Sequence, residues 1–411
     1  LSLIVQKYGG TSVGTTERIR NVAKRILETQ SAGHRVVAVV SAMAGVTDEL
    51  LRKSVEVTEG KGATAREMDV LLSTGEQTTI ALIAMAINAM GGKAVSLTGA
   101  QAGIETDGVH TKARISHITP DTVHELLEEG NNVIIAGFQG RTMEGRITTL
   151  GRGGSDLSAI AMAAAIKADV CQILTDVDGV YTCDPRVVKD ARKIDKITYD
   201  EMLEMASSGT KVMQSRSVEF AKKFGVVFEV RSSLNNNPGT LVLEESEIMS
   251  MESVVIRGVS LERAQAKVTI AGVRDVPGTA GKIFGAVAEA NVIVDMIVQN
   301  TSHDGVTDIS FTVAKADLEA AKATLEPLIG RELNEGVTLS TQEDVAKLSV
   351  VGIGMKSHSG VASEMFQALA SAGVNIQMIS TSEIKITVTV AEDQIDEAAN
   401  VVHRAFGCEK L

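Results

Sequence analysis

The chain has 411 residues, which suggests two or three domains rather than one core. Its 44% hydrophobic and 22% charged residues lie in the globular range, and a formal net charge of −12 without a Lys/Arg block argues against nucleic acid or an anionic membrane as partner. No apolar run approaches the length of a membrane span, the first residues read as a strand rather than a signal peptide, and three scattered cysteines (Cys171, Cys183, Cys408) suggest reduced thiols in a cytoplasmic protein.

Up to about residue 245 the chain alternates short β-branched runs with helical periodicity. Strands are expected at Leu3–Gln6, Val36–Val40, Lys93–Leu97, Asn132–Ala136, Ile147–Leu150, Val170–Leu174 and Val226–Val230. Helices are expected at Thr16–Glu28, Gly75–Ala89, Asp121–Glu129, Asp156–Lys167 and Tyr199–Ser207. This pattern predicts an α/β domain, a sheet covered by helices on both faces, with its ligand beyond the carboxyl ends of the strands.

The loops at those ends carry the chemistry. "KYGGTS" places Lys7 beside Gly9 and Gly10, either a plain turn or a phosphate loop in which bare backbone and one compact cation approach an anion. It is neither a Walker A loop nor a G-x-G-x-x-G fingerprint. "VSAMAGVTDEL" offers Ser41 and Thr47, the latter a possible cap for a helix from Asp48. In "LLSTGEQTT", Ser73 and Glu76 fit a capping box, and Glu76 is equally suited to an ammonium group.

"LGRGGSD" sets Arg152 between glycines, ahead of Ser155 and Asp156. Arg152 can fork onto a carboxylate, and Asp156 is a plausible N-cap. "LTDVDGVYTCDPR" offers Asp176 and Asp178 for hydrated magnesium or a ribose hydroxyl, and Arg186 for phosphate. Counted as a calcium loop it fails, because Val187 stands where the closing glutamate belongs.

"SLNNNPGTLVLEE" reads as a linker, and the remainder contains a repeat. "GTAGKIFGAVAEANVIVDMIVQ" aligns with "GVASEMFQALASAGVNIQMIST", pairing Gly278 with Gly360, Phe284 with Phe366, Val292 with Val374 and Met296 with Met378. Each copy predicts strand, helix, strand, strand, helix and a closing strand.

The five loops, in this order, resemble the amino-acid kinase family, and the repeat resembles the paired ACT domains of its aspartokinase branch. The resemblance implies an amino-acid-kinase-type αβα sandwich at 1–245 followed by two α+β ferredoxin-like ACT domains. The first is expected at 264–340 and the second, discontinuous, at 251–263 plus 344–411. It implies ATP-dependent phosphorylation of the L-aspartate side-chain carboxylate with Mg²⁺, opening the lysine, threonine, methionine and diaminopimelate routes.

Carried over by position, the resemblance puts Lys7, Gly9 and Gly10 on the ATP phosphates. Ser41 and Thr47 fall between γ-phosphate and substrate, Glu76 on the substrate ammonium, Arg152 on its α-carboxylate, and Ser155 and Asp156 on the same wall. Lys7 and Asp156 are the implied catalytic pair, and Ser41, Thr175, Asp176, Tyr181, Arg186 and Lys211 line the nucleotide. No protein-held metal site is expected. Effector contacts are implied at Asp275, Gly278, Ala280, Asp295 and Gln299, and at Asn375 and Ile376, for lysine and threonine acting singly or together. ACT-mediated homo-oligomers are implied, or an α₂β₂ assembly if Met251 is an internal start. Two other readings stay open: a catalytically silent amino-acid sensor, and a kinase for another acyl acceptor such as glutamate.

Overall fold

The structure is a computed structural model that describes residues 2–207, 213–247, 256–300, 305–333, 335–353 and 360–410. Lys211, Met251 and residues 357–359 of the second repeat lie outside them. The chain divides into two compact units. The first holds the described residues to Val180, Lys193–Ser207, and those from Met213 to Glu247. The second holds Tyr181–Arg192 and the described residues from Ile256 onward.

The first unit runs β1 (Leu3–Tyr8), α1 (Thr16–Ser31), β2 (Arg35–Val40), α2 (Val46–Val57), α3 (Ala65–Ala89), β3 (Ala94–Leu97), β4 (Ile104–Thr106), β5 (Ile115–Ile118) and α4 (Asp121–Glu128). It continues through β6 (Asn132–Ala136), β7 (Gln139–Arg141), β8 (Ile147–Thr149), α5 (Gly154–Ala165), β9 (Val170–Thr175), β10 (Lys196–Thr198), α6 (Tyr199–Ser207), α7 (Ser215–Phe224), β11 (Phe228–Ser232) and β12 (Thr240–Leu243). Eight strands form one sheet in the order β10-β12-β11-β9-β1-β2-β6-β3, parallel except for the β11–β12 pair. Helices cover both faces, so β1 and β2 are apolar almost throughout. On one face α1 and α3 pack over Val36, Ala38 and Val40, and α5 packs against β1, β2 and β9. Lys7 is level with Val39 and Ile173, so the carboxyl ends of three central strands coincide there.

Two expectations change in this unit. The stretch read as a linker is a loop followed by β12, which is paired on both sides. And α3 begins at Ala65, so it is 25 residues long. By length and composition α3 resembles a membrane span. It is nevertheless packed into this domain, and its buried residues include Asp69 and Glu76.

The second unit runs β13 (Gly258–Arg274), α8 (Thr279–Glu289), β14 (Val294–Gln299), β15 (Val306–Ala314), α9 (Leu318–Glu332), β16 (Thr338–Val351), α10 (Val361–Ser371), β17 (Met378–Thr381), β18 (Lys385–Ala391) and α11 (Ile395–Ala405). Among the described residues its six strands form one antiparallel sheet, β14-β15-β13-β16-β18-β17. Two cores share that sheet. One gathers around Ile283, Phe311 and Leu325, the other around Leu348, Met365 and Val402.

The shared strands explain a departure from the repeat pattern. Thr338–Gln342 of β16 closes the first copy against β13, whereas Gly258–Glu262 of β13 serves the second copy, which itself ends in α11 and a short 3₁₀ turn. The strand preceding the first repeat thus joins the second one. A further difference concerns residues 181–192, which were expected in the catalytic half. Cys183 and Val188 are buried in the second core, and Asn400 donates from its side-chain amide to the Val187 carbonyl at 3.3 Å. Burial in the second core, beside α11, sets their allegiance, not their position in the chain.

Candidate active site

A cleft of about 350 Å³ opens at the carboxyl end of the parallel sheet. The structure brings Lys7, Gly10, Ser41, Thr47, Glu76, Arg152, Ser155 and Asp156 to its wall. Gly9 adjoins it: a Cβ there would sit 3.5 Å from Lys7 Nζ.

Lys7 is the penultimate residue of its strand, with a side chain only 12% exposed and its Nζ 2.6 Å from Asp156 Oδ1. Asp156 is therefore not the cap of α5. That helix starts at Gly154 behind Gly153, whose φ of 73° is a left-handed conformation suited to glycine. Similarly Thr47 is not a cap, because α2 starts at Val46 behind Gly45. Neither helix has a side-chain cap, so both present first-turn N–H groups and positive dipole ends at the cleft.

Glu76 departs furthest from its sequence pattern. Ser73 and Glu76 lie in the middle of α3, so no capping box exists. Ser73 Oγ donates to the Val70 carbonyl at 2.8 Å. Glu76 is 4% exposed, and its Oε1 accepts from Ala42 N–H at 3.1 Å. Its Oε2 is buried without a hydrogen-bond partner among the described residues. Burial pushes its pKa up to about 7, against the opposing pull of the Ala42 N–H. Close packing makes this possible: a Cβ on Gly75 would lie 2.9 Å from the Ala42 Cβ, so only glycine admits this approach of α3 to the loop.

Arg152 is exposed at the turn before α5 and has no ion pair among the described residues. Phe138, which the sequence reading missed, lines the same wall. It is held at φ 66°, and its N–H donates to Ser158 Oγ at 3.0 Å.

The nucleotide-side residues are only partly assembled. Thr175 ends β9, where its carbonyl accepts from Ser233 N–H at 2.7 Å and its hydroxyl donates to Asp176 at 3.1 Å. Asn235 donates to Asp178 at 2.8 Å, and Ser12 to Ser233 at 2.8 Å, so the supposed linker packs against the loops after β1 and β9. Tyr181 and Arg186 belong to the second unit, where Arg186 lies 2.6 Å from Asp184, and Lys211 is outside the described residues. Among the described residues no three His, Cys, Asp or Glu side chains gather as a metal cage.

In the second unit a cavity of about 320 Å³ is lined by Asp275, Gly278, Ala280 and Gln299, joined by Arg274 and Thr307. Asp295 is not on it but pairs with Lys347, which also holds Glu262 at 2.6 Å. Asn375 and Ile376 lie between α10 and β17, with Ile376 packed on the second core.

A cleft at the carboxyl end of a parallel sheet that gathers a lysine, an arginine, a buried carboxylate and two helix ends fits a small-molecule kinase domain. The amino acid kinase family model matches residues 2–231, and an ACT domain model matches 268–327 and 348–406. A Pseudomonas aeruginosa aspartokinase is 52% identical over 410 residues, covering 99% of this chain and 98% of its own. Crystal structures of E. coli aspartokinase III align over 98% of this chain and 99% of theirs. The complex with aspartate and ADP, in the R-state, has a TM-score of 0.78 at 25% identity. The complex with lysine and aspartate, in the T-state, has a TM-score of 0.77 at 26% identity. The chain belongs to the amino acid kinase family and, within it, to the aspartokinases with C-terminal ACT domains.

Proposed function

We propose that this cleft transfers the γ-phosphoryl group of ATP to the side-chain carboxylate of L-aspartate. The observation that carries the reading is the buried, unpartnered Oε2 of Glu76, a residue that lines the same cleft as Arg152. A buried acceptor and a free guanidinium suit the ammonium and α-carboxylate of an unmodified amino acid. An N-acylated acceptor would leave Glu76 unpaired, which disfavours it.

The nucleophile is a carboxylate with a reference pKa of about 3.9, already ionised near neutrality. Its oxygen attacks the γ-phosphorus as the bond to the ADP oxygen breaks, and no general base is needed. The difficulty is bringing an anion to a polyanion. Lys7, held by Asp156, and the N–H groups at the starts of α2 and α5 stabilise that charge. Magnesium enters with ATP as the substrate complex.

A hydroxamate assay for acyl phosphate, run with aspartate, glutamate and N-acetylglutamate, tests the assignment. Product with aspartate alone is expected, and activity confined to another acceptor would overturn it. Arg152→Ala should raise the aspartate KM by about a hundredfold with a smaller effect on kcat.

The ACT half is read as the regulatory part, divided at 264–340 and at 251–263 plus 344–411. The cavity at Asp275, Gly278, Ala280 and Gln299 takes a small amino acid, and Asp295, Asn375 and Ile376 are the further contacts. Lysine with threonine is the leading effector pair. Full inhibition by lysine alone would reject the concerted version. Assembly through the ACT sheets and a cytoplasmic location complete the reading.

A further inference from the structure

We infer that Asp69 is a positioning residue for aspartate binding, acting through the turn that carries Arg152. The inference rests on the reading of Arg152 as the α-carboxylate ligand. Asp69 lies about two helical turns before Glu76 on α3, so the two carboxylates project from nearly the same face. One grips within the cleft. The other is 0% exposed and saturated with partners.

The Thr111 N–H donates to both carboxylate oxygens of Asp69, at 3.0 and 3.1 Å. His110 Nδ1 donates at 2.6 Å and the Thr149 hydroxyl at 2.5 Å. A carboxylate is buried this deeply only when its partners are fixed. Asp69 therefore clamps two segments to α3: the loop around Thr111 and the last residue of β8.

Both segments lead to Arg152. Thr149 is followed by Leu150 and Gly151, and the Thr111 carbonyl backs Gly151 so closely that a Cβ there would lie 3.1 Å away. Gly151 adopts φ 79°, which glycine takes readily, whereas Thr111 is held at φ 66°, a conformation uncommon for a β-branched residue. The Ala113 N–H donates to the Thr149 carbonyl at 2.9 Å, and Arg216 holds the Leu150 and Ala113 carbonyls at 2.8 and 2.9 Å. α3 thus acts as a ruler. It carries the ammonium acceptor at one point and, two turns earlier, fixes the turn bearing the carboxylate ligand.

Steady-state kinetics of the full chain test this with Thr149→Val, which removes one donor at nearly constant volume, and with Asp69→Asn. Thr149→Val should raise the aspartate KM about tenfold, with kcat and the ATP KM within about twofold. Asp69→Asn should move the same parameter further, and Thr149→Ser, which keeps the hydroxyl, should stay near the parent. Combining Thr149→Val with Arg152→Ala should add little to Arg152→Ala alone, because both act through one contact. If Thr149→Val stays folded with an unchanged aspartate KM, or lowers all parameters together, the inference is overturned. Should Asp69→Asn fail to fold, Thr149→Val decides. If Arg152→Ala itself leaves the aspartate KM unchanged, the role of Arg152 falls first and this inference with it.

Discussion

Replacing Lys7 with alanine is expected to lower kcat by roughly three orders of magnitude while changing the aspartate KM only a few-fold. The asymmetry follows from where the charge sits. Lys7 stands near the end of a central strand, close to Gly9 and Gly10, and its ammonium is fixed by Asp156 rather than free to follow solvent. It faces no carboxylate of the amino-acid substrate in the proposed arrangement. Its contribution grows as negative charge spreads over the transferring phosphoryl group, so it is felt in the transition state.

A structural cost accompanies the change, because Asp156 is 9% exposed and would lose its cation. Thermal unfolding of Lys7→Ala beside Lys7→Ala/Asp156→Asn separates the two effects. The double variant should regain stability without regaining kcat. An unchanged kcat in the single variant would remove Lys7 from the chemistry.

The loops after Tyr8, Val40 and Thr175 were legible because each follows a short apolar strand, and in a parallel sheet those ends converge, whereas Arg152 follows β8 outside that sheet and Glu76 lies within α3. The repeat was equally legible: Gly278 and Gly360 both precede their helices at positive φ, and Val292 and Val374 are both buried. What escaped depended on long-range packing. The first turns of α3 are mostly exposed, so no apolar stripe announced them, and Ser73 with Glu76 imitated a helix start. Asp69 belonged to no motif, since its partners come from the loop at Thr111 and from β8. Residues 181–192 continue the nucleotide motif in sequence, yet Cys183 and Val188 are buried in the second core. Local pattern carries no information about such partners.

Glu76→Gln should raise the aspartate KM on the order of a hundredfold at pH 8 and flatten its pH dependence. In the free protein burial pushes the Glu76 pKa up from 4.5 to about 7, so part of the population is protonated near neutrality. A bound ammonium group favours the ionised form and pulls the pKa down. Aspartate must therefore displace a proton below about pH 7, and its KM should rise by up to tenfold for each unit of further acidification. Above about pH 8 that cost vanishes.

The stability consequence has the opposite sign. Between about pH 4.5 and 7 the folded, ligand-free chain holds a proton on Glu76 that the unfolded chain has released. This group's contribution to stability is therefore lost as pH rises through that window. Saturating aspartate supplies the missing cation and should restore it, so the rise in Tm on adding aspartate should be larger at pH 8 than at pH 6. Glutamine has no proton to exchange, and the variant should show neither slope. Parallel KM profiles in parent and variant would exclude Glu76 as the titrating group and, with it, the ammonium contact on which the choice of a free amino acid rests.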